Sequence, residues 1–324
     1  MKLLLVASLL LALTITLIRT QSADASDQEV RSVEWGVYEM LTRRYSWEDR
    51  LDQAKEDFGA IPGYVLFFRD LNPDRTFPAE RVENAHARQM TPVISLEIGR
   101  WGRGNDTGYL NEVASGEFDE FMQQWAEDAK ACGLPVILRF GFEMNGDWFT
   151  WGSQPETFIK AWRRSHDIFK KVGCDNVKWM FSPNVLWDKR TEKKDLYNYY
   201  PGEAYVDLVG IDGYNFGDHH DKWHKWQTYE EVFERTIRAC AKFNKPLYLS
   251  EIGCADDKRK PAWIKDFLGK VTRDERLEGF IYFNHFNPRK GEPNWRLDSD
   301  PETLEIFREW VRENEKSIPA SKGG

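Results

Sequence analysis

The chain has 324 residues, 30% of them charged, with a formal net charge of −8 at neutral pH. That length allows a large buried core, and the acidic balance without a Lys/Arg-rich block argues against a nucleic-acid binder. The 14 Trp and 12 Tyr point to a surface that stacks flat ligands, with a large aromatic core as the plainer reading.

The N-terminus reads as a secretory signal over residues 1–25. Lys2 supplies the positive start, Leu3 to Ile18 is a nearly continuous apolar run, and Ala23-Asp24-Ala25 fits a small-x-small cleavage site. The run is short for a membrane span, which needs about 20 residues. The mature protein is therefore expected to be secreted, with membrane attachment only if this segment stays uncleaved. An enzyme tethered to the cell envelope is the corresponding alternative.

Eight β-rich apolar runs follow in order: Val33–Tyr38, Tyr64–Phe68, Pro92–Glu97, Pro135–Phe142, Val177–Ser182, Val206–Tyr214, Leu247–Ile252 and Gly279–His285. Amphipathic stretches separate most of them. In "EFDEFMQQWAEDAKACG" the residues Phe118, Phe121, Met122, Trp125 and Ala129 fall at helical spacing. "PETFIKAWRRSHDIFKKVG" and "TYEEVFERTIRACAKFN" behave alike, and several such stretches stop at Gly or Asn. Eightfold strand–helix alternation predicts an α/β single domain, a (β/α)8 TIM barrel over residues 26–316, with a loose tail at 317–324. No GxGxxG turn follows the first strand, which argues against a doubly wound dinucleotide fold.

Cys132, Cys174, Cys240 and Cys254 contain no CxxC pair. Cys132 and Cys174 precede strands expected to be neighbours, so a bridge and free buried thiols are both open. "DHHDKWHKW" (218–226) holds metal-ligating residue types, yet its spacing fits no standard zinc pattern; a loop touching the ligand through Trp223 or Trp226 is the other functional reading. We assign no metal and no cofactor. Asn105-Asp106-Thr107 is a glycosylation sequon, meaningful only in a eukaryotic source.

Barrel sites gather at the C-terminal ends of the strands. The fourth run leads directly into Glu143, and the seventh carries Glu251 at its end, just before Ile252. Strict alternation puts Arg139, Gly141 and Glu143 on one face, with Leu138, Phe140 and Phe142 on the face under the helices. It likewise groups Leu247, Leu249 and Glu251, and Asp212 with Tyr214. Two carboxyl groups at one mouth suit retaining glycoside hydrolysis, where one protonates the leaving oxygen and the other attacks the anomeric carbon. Arg139 would help keep a neighbouring carboxylate ionised. Trp148 and Trp151 after Glu143 are candidate sugar platforms. Glu97 ends the third run and could contact a hydroxyl, and Asn284 and His285 end the eighth.

"RFGFEMNGDWFTWG" (139–152) resembles the acid/base motif of glycoside hydrolase family 26, R-x-x-H-E-M-N-G-x-W-[FY]-x-W-G. "YVDLVGIDGYN", "KPLYLSEIG" and "EPNWRLDSD" follow in the order that the family would place them, so the resemblance runs from about Trp35 to Trp310. It implies a retaining (β/α)8 glycosidase with Glu143 as acid/base and Glu251 as nucleophile. Arg139, Asp212 and Tyr214 match supporting positions and Trp148 a sugar-stacking position. Asn145, Trp151, Trp187 and Trp295 complete the expected substrate-binding set with Glu97 and His285.

One departure stands out. Phe142 occupies the place where the family usually has His, which belongs to the polar shell of the reacting sugar's subsite. The implied activity is a monomeric endo-β-glycanase acting on a β-linked polysaccharide, with endo-1,4-β-mannanase first and mixed-linkage endo-β-1,3-1,4-glucanase (lichenase) as the alternative. A carbohydrate-binding protein built on a decayed hydrolase is the reading from another class.

Overall fold

The computed structural model describes residues 31–316 except 40–45, 73, 101–106, 187–195, 220–224 and 289–290. The proposed signal segment, the tail, Trp187, Trp223 and most of the sequon lie outside the described residues. The barrel strands are β1 (Glu34–Glu39), β2 (Tyr64–Asp70), β3 (Thr91–Glu97), β4 (Val136–Phe140), β5 (Val177–Phe181), β6 (Leu208–Asn215), β7 (Leu247–Cys254) and β8 (Gly279–Asn284). They close into one parallel barrel in the order β1-β8-β7-β6-β5-β4-β3-β2. A short antiparallel ribbon, Gly99–Arg100 with Thr107–Gly108, sits beyond β3. All eight expected strands are present, with ends shifted by up to two residues.

Helices α1 (Trp47–Phe58), α2 (Ala79–His86), α3 (Leu110–Ser115), α4 (Asp119–Cys132), α5 (Pro155–Val172), α6 (Tyr229–Cys240), α7 (Lys260–Arg273) and α8 (Pro301–Lys316) wrap the outside. Local sequence explains several of their ends. Ser46 with Asp49, and Thr228 with Glu231, form capping boxes that satisfy the first backbone N–H groups of α1 and α6. Gly133 and Gly173 end α4 and α5 in the left-handed conformation. Met122, Trp125, Ala126 and Ala129 form the buried stripe of α4. Between β5 and β6 the described residues hold two short 3-10 turns, Leu196–Asn198 and Glu203–Tyr205. No helix of the described residues is long and apolar enough to cross a membrane. All four cysteines are free, so Cys132 and Cys174 are not bridged.

Inside the barrel, Leu66, Val93, Ile137, Met180, Tyr248 and Ile281 form an apolar layer. One pleat nearer the C-terminal ends the side chains change character: Phe68, Ser95, Arg139, Ser182, Ser250 and Phe283 stand two residues beyond members of that layer. The small serines leave space that the Arg139 side chain fills. Gly210 preserves that space, because a Cβ there would lie 2.2 Å from Ser250 Oγ and 2.7 Å from Ser182 Oγ.

The alternation expected for β7 fails, and the reason is a bulge. Gly210 pairs with Tyr248 but Asp212 pairs with Glu251; on the other side Phe280 pairs with Leu249 but Tyr282 with Ile252. One extra residue is thus inserted at 250–251. Leu247 and Leu249 pack toward the helices, Tyr248 and Ser250 face the interior, and the bulge turns Glu251 inward as well.

Gly210→Ala should overpack this layer and lower stability by about 1–3 kcal/mol. Urea unfolding of the two proteins measures the difference.

Candidate active site

Strand β4 stops at Phe140, so Glu143 is not on the strand. Gly141 takes φ +57° and Glu143 φ +53°. A Cβ on Gly141 would meet Ile98 Cδ1 at 2.5 Å, so glycine is needed for space as well as conformation. Left-handed backbone at a non-glycine residue costs on the order of 1–3 kcal/mol and has to be held. Glu143 N donates to Ser182 O at 2.7 Å, Gly146 N to Glu143 O at 2.9 Å, and Ser153 N to Met144 O at 2.9 Å. The Trp151 indole N–H donates to Phe142 O at 2.8 Å. This turn, rather than strand alternation, carries Glu143 to the barrel mouth.

The turn also relocates Phe142, which does not lie under the helices. Its ring packs edge-on to Phe68, Phe149 and Trp151, and the Arg139 guanidinium carbon lies 5.0 Å from its centroid. An aromatic face therefore covers one side of the buried cation.

Arg139 is the hub of the site. Its Nη1 donates to Glu251 Oε1 at 2.6 Å and to Ser95 Oγ at 2.7 Å, its Nε to Ser182 Oγ at 3.1 Å, and its Nη2 to Asp212 Oδ2. Burial works against its charge, but Asp212 and Glu251 outweigh it and push the guanidinium further up. Asp212 also accepts from Ser250 Oγ at 2.6 Å. Burial and the neighbouring carboxyls push Asp212 up, with Arg139 opposing them. The Tyr214 hydroxyl donates to Glu251 Oε2. Burial first, then the surrounding carboxyls, hold that phenol well above its ordinary value, so it keeps the proton it donates. Both Glu251 oxygens thus accept from fixed donors, the arrangement of an ionised carboxylate.

Glu143 has a different setting. Burial, then the Glu251 charge, pushes its carboxyl up to about 7. Asn184 Nδ2 at 2.7 Å and Trp148 Nε1 at 2.5 Å donate to it and oppose that rise. One carboxyl is poised to carry a proton near neutrality while the other is held as an acceptor.

The remaining expected residues divide. Trp148 is 49% exposed, with its indole N–H on Glu143. Trp151 is buried and stacks on Phe149 at 4.4 Å, so it supports the turn and offers no face to a sugar. Trp295 is also buried, packed on Tyr214 and Phe216. Asn145 spends its amide on Asn184: Nδ2 donates to Asn184 O and Oδ1 accepts from Asn184 N, both at 2.8 Å. It therefore positions Asn184. Glu97 ends β3, half-buried. His285 is buried at the mouth with Nε2 3.4 Å from Glu292 Oε2. Among the described residues no group of three His, Cys, Asp or Glu is placed to hold a metal.

Sequence reasoning missed Asn184, Ser95, Ser182 and Ser250, together with Tyr38, Phe68 and Phe283, whose rings contact one another on the adjacent strands β1, β2 and β8. Asn184 carried a usable signal, a polar residue just past the end of β5. The serines carried none.

Residues 106–264 match the family model for Glycosyl hydrolase family 26. Over that span, just under half of its length, the chain is similar to glycosyl hydrolase family 26. The matched span contains both Glu143 and Glu251. The chain is 35% identical over 209 residues to Endoglucanase H of Acetivibrio thermocellus, covering 62% of the chain and 23% of that protein. It is 31% identical over 182 residues to Mannan endo-1,4-beta-mannosidase A and B of Caldalkalibacillus mannanilyticus, covering 52% of the chain and 32% of that protein. The chain thus spans between about a quarter and a third of these relatives' length. In fold it resembles a GH26 beta-mannanase from Bacteroides ovatus, with TM-score 0.61, 19% identity and coverage of 88% of this chain and 90% of that one. The catalytic domain of a Bacillus sp. JAMB-750 endo-beta-1,4-mannanase gives TM-score 0.63 at 20% identity, covering 89% and 88%. At such identities the likeness is one of architecture, the closed (β/α)8 barrel.

Arg139→Met should destabilise the fold by about 3–5 kcal/mol, because Asp212 and Glu251 would stay buried without their cation. Adding Asp212→Asn should recover part of that loss in urea unfolding.

Proposed function

We propose that the protein is an endo-acting, retaining β-glycanase with Glu143 as acid/base and Glu251 as nucleophile. The observation that carries this reading is the opposed setting of the two carboxyls at one barrel mouth. Glu143 gives its proton to the glycosidic oxygen as Glu251 attacks the anomeric carbon, forming a glycosyl–enzyme ester. Esterification removes the Glu251 charge, which lowers Glu143 and fits it to deprotonate the incoming water. Arg139 and Tyr214 hold Glu251 in line for attack, and Trp148 stacks on a sugar ring beside the acid.

For the sugar, we favour a β-glucan backbone of the mixed-linkage type. Two observations support it. Phe142, buried beside Glu143 in the chain where the family usually has His, brings no hydrogen-bonding group to that position; an axial hydroxyl that needed such a partner would be desolvated without compensation. The likeness to Endoglucanase H is also longer and higher in identity than that to the mannosidase A and B. β-1,4-Mannan, the first expectation from sequence, is the second reading, supported by several relatives named mannan endo-1,4-beta-mannosidase.

A panel of barley β-glucan, lichenan, carboxymethylcellulose and mannan, with product analysis, separates the two; release of sugar from none of them sinks the glycanase reading. Glu143→Ala should reduce polysaccharide hydrolysis by about 10²–10⁴-fold, and Glu251→Ala at least as much. Full activity in either variant is incompatible with the assignment. Glu143 must be protonated to act, so kcat/KM should fall as pH rises through about 7. Asn184→Ala removes a hydrogen bond that favours the ionised form, and should move that limb to higher pH.

A further inference from the structure

Phe286 is a large apolar side chain left 38% exposed. Among the described residues, Ile61, Trp148 and Tyr197 are the other exposed large hydrophobics. Ile61 lies in the connection into β2, at the end of the barrel away from the site. Tyr197 rests on Phe243, with ring centroids 5.0 Å apart. Of these four, Trp148 and Phe286 stand at the mouth, beyond β4 and β8. These two strands are four places apart in the ring of eight, on opposite sides of the barrel. Glu143 follows β4 and Glu251 lies on β7, the neighbour of β8. Both carboxyl groups therefore belong to the same barrel mouth as the two exposed rings.

The backbone leading into Phe286 is pinned. His285 N donates to Phe283 O, and Trp295 N to His285 O, both at 2.9 Å. The Tyr282 hydroxyl donates to Trp295 O at 2.9 Å, and Leu297 N to Asn284 Oδ1 at 2.9 Å. The His285 ring lies edge-on to Tyr38 and Phe283. An exposed aromatic on a loose loop needs no explanation. One that follows a tethered segment, at the same mouth as a second exposed aromatic and two carboxyls, is suited to a flat ligand.

We propose that Phe286 is a sugar-stacking platform at the far end of the cleft from Trp148, so that the site binds a chain of several β-linked hexose units lying across the mouth. The apolar C–H face of a pyranose would rest on the ring, as on any aromatic surface. This placement rests on reading the mouth as a glycanase site, and it names a binding position that lies outside the family match at residues 106–264.

Calorimetric titration with cellohexaose and with mannohexaose, using the Glu143→Gln chain to keep the ligand uncut, tests it. Phe286→Ala should weaken binding of the preferred hexaose by about 3–10-fold. Phe286→Tyr should retain it, and Ile61→Ala, an exposed apolar residue at the other end, should change nothing. Unchanged affinity in Phe286→Ala, an equal loss in Phe286→Tyr, or no binding of either hexaose by the Phe286 protein overturns the proposal. Hydrolysis by the chain with Glu143 intact is read separately. A chain that binds hexaose through Phe286 and releases no sugar sinks the glycanase reading and leaves the platform standing.

Discussion

A guanidinium sealed from water holds the centre of this barrel. Arg139 reaches Asp212, Glu251, Ser95 and Ser182 at once and lies against the Phe142 ring. Burying an unpaired charge costs several kcal/mol, so the cation and its carboxylates must be arranged together or not at all. That constraint explains the layer above the apolar floor. Small hydroxyl residues replace bulky ones, Gly210 leaves room for them, and the polar side chains each meet a partner. It also sets the balance of charge. Three carboxyls share one guanidinium, and burial pushes up both Asp212, which touches it, and Glu143, which does not and is brought to about 7.

The barrel was legible for physical reasons. Parallel strands covered on both faces read as apolar runs, and the runs leading to Glu97, Glu143 and Glu251 showed where a mouth would be. Capping residues such as Thr228 with Glu231, and stop glycines such as Gly173, marked the helices between them. Eight repeats of that pattern in a chain of this size leave few closed arrangements.

The two carboxyls were found by a rule that described their setting incompletely. Alternation assumes an unbroken pleat, and both catalytic candidates sit where the pleat breaks. Glu143 is placed by two left-handed residues after β4 ends, and Glu251 by one surplus residue in β7. Neither irregularity has a sequence signature strong enough to be read alone. The aromatic residues show a different limit. Trp148 and Trp151 are three positions apart and chemically the same, yet one is half open and the other sealed. Burial depends on which way the turn folds, and Gly141 and Gly146 permit that fold without announcing it. Ser95, Ser182 and Ser250 escaped notice because a single serine in a strand is unremarkable until its partner is known.

The surplus residue in β7 has a consequence for how this kind of fold can change its trade. Ser250 and Glu251 both face inward because two residues of β7 share one step of the neighbouring ladders. Were that offset to migrate one residue along the strand, the carboxylate would leave Arg139 with no change in any amino acid. A hydrolase and a mere sugar holder would then share the same chemical inventory and differ only in phase. Counting active-site residues in an alignment of such chains cannot tell the two apart; the spacing of the strand against its neighbours can.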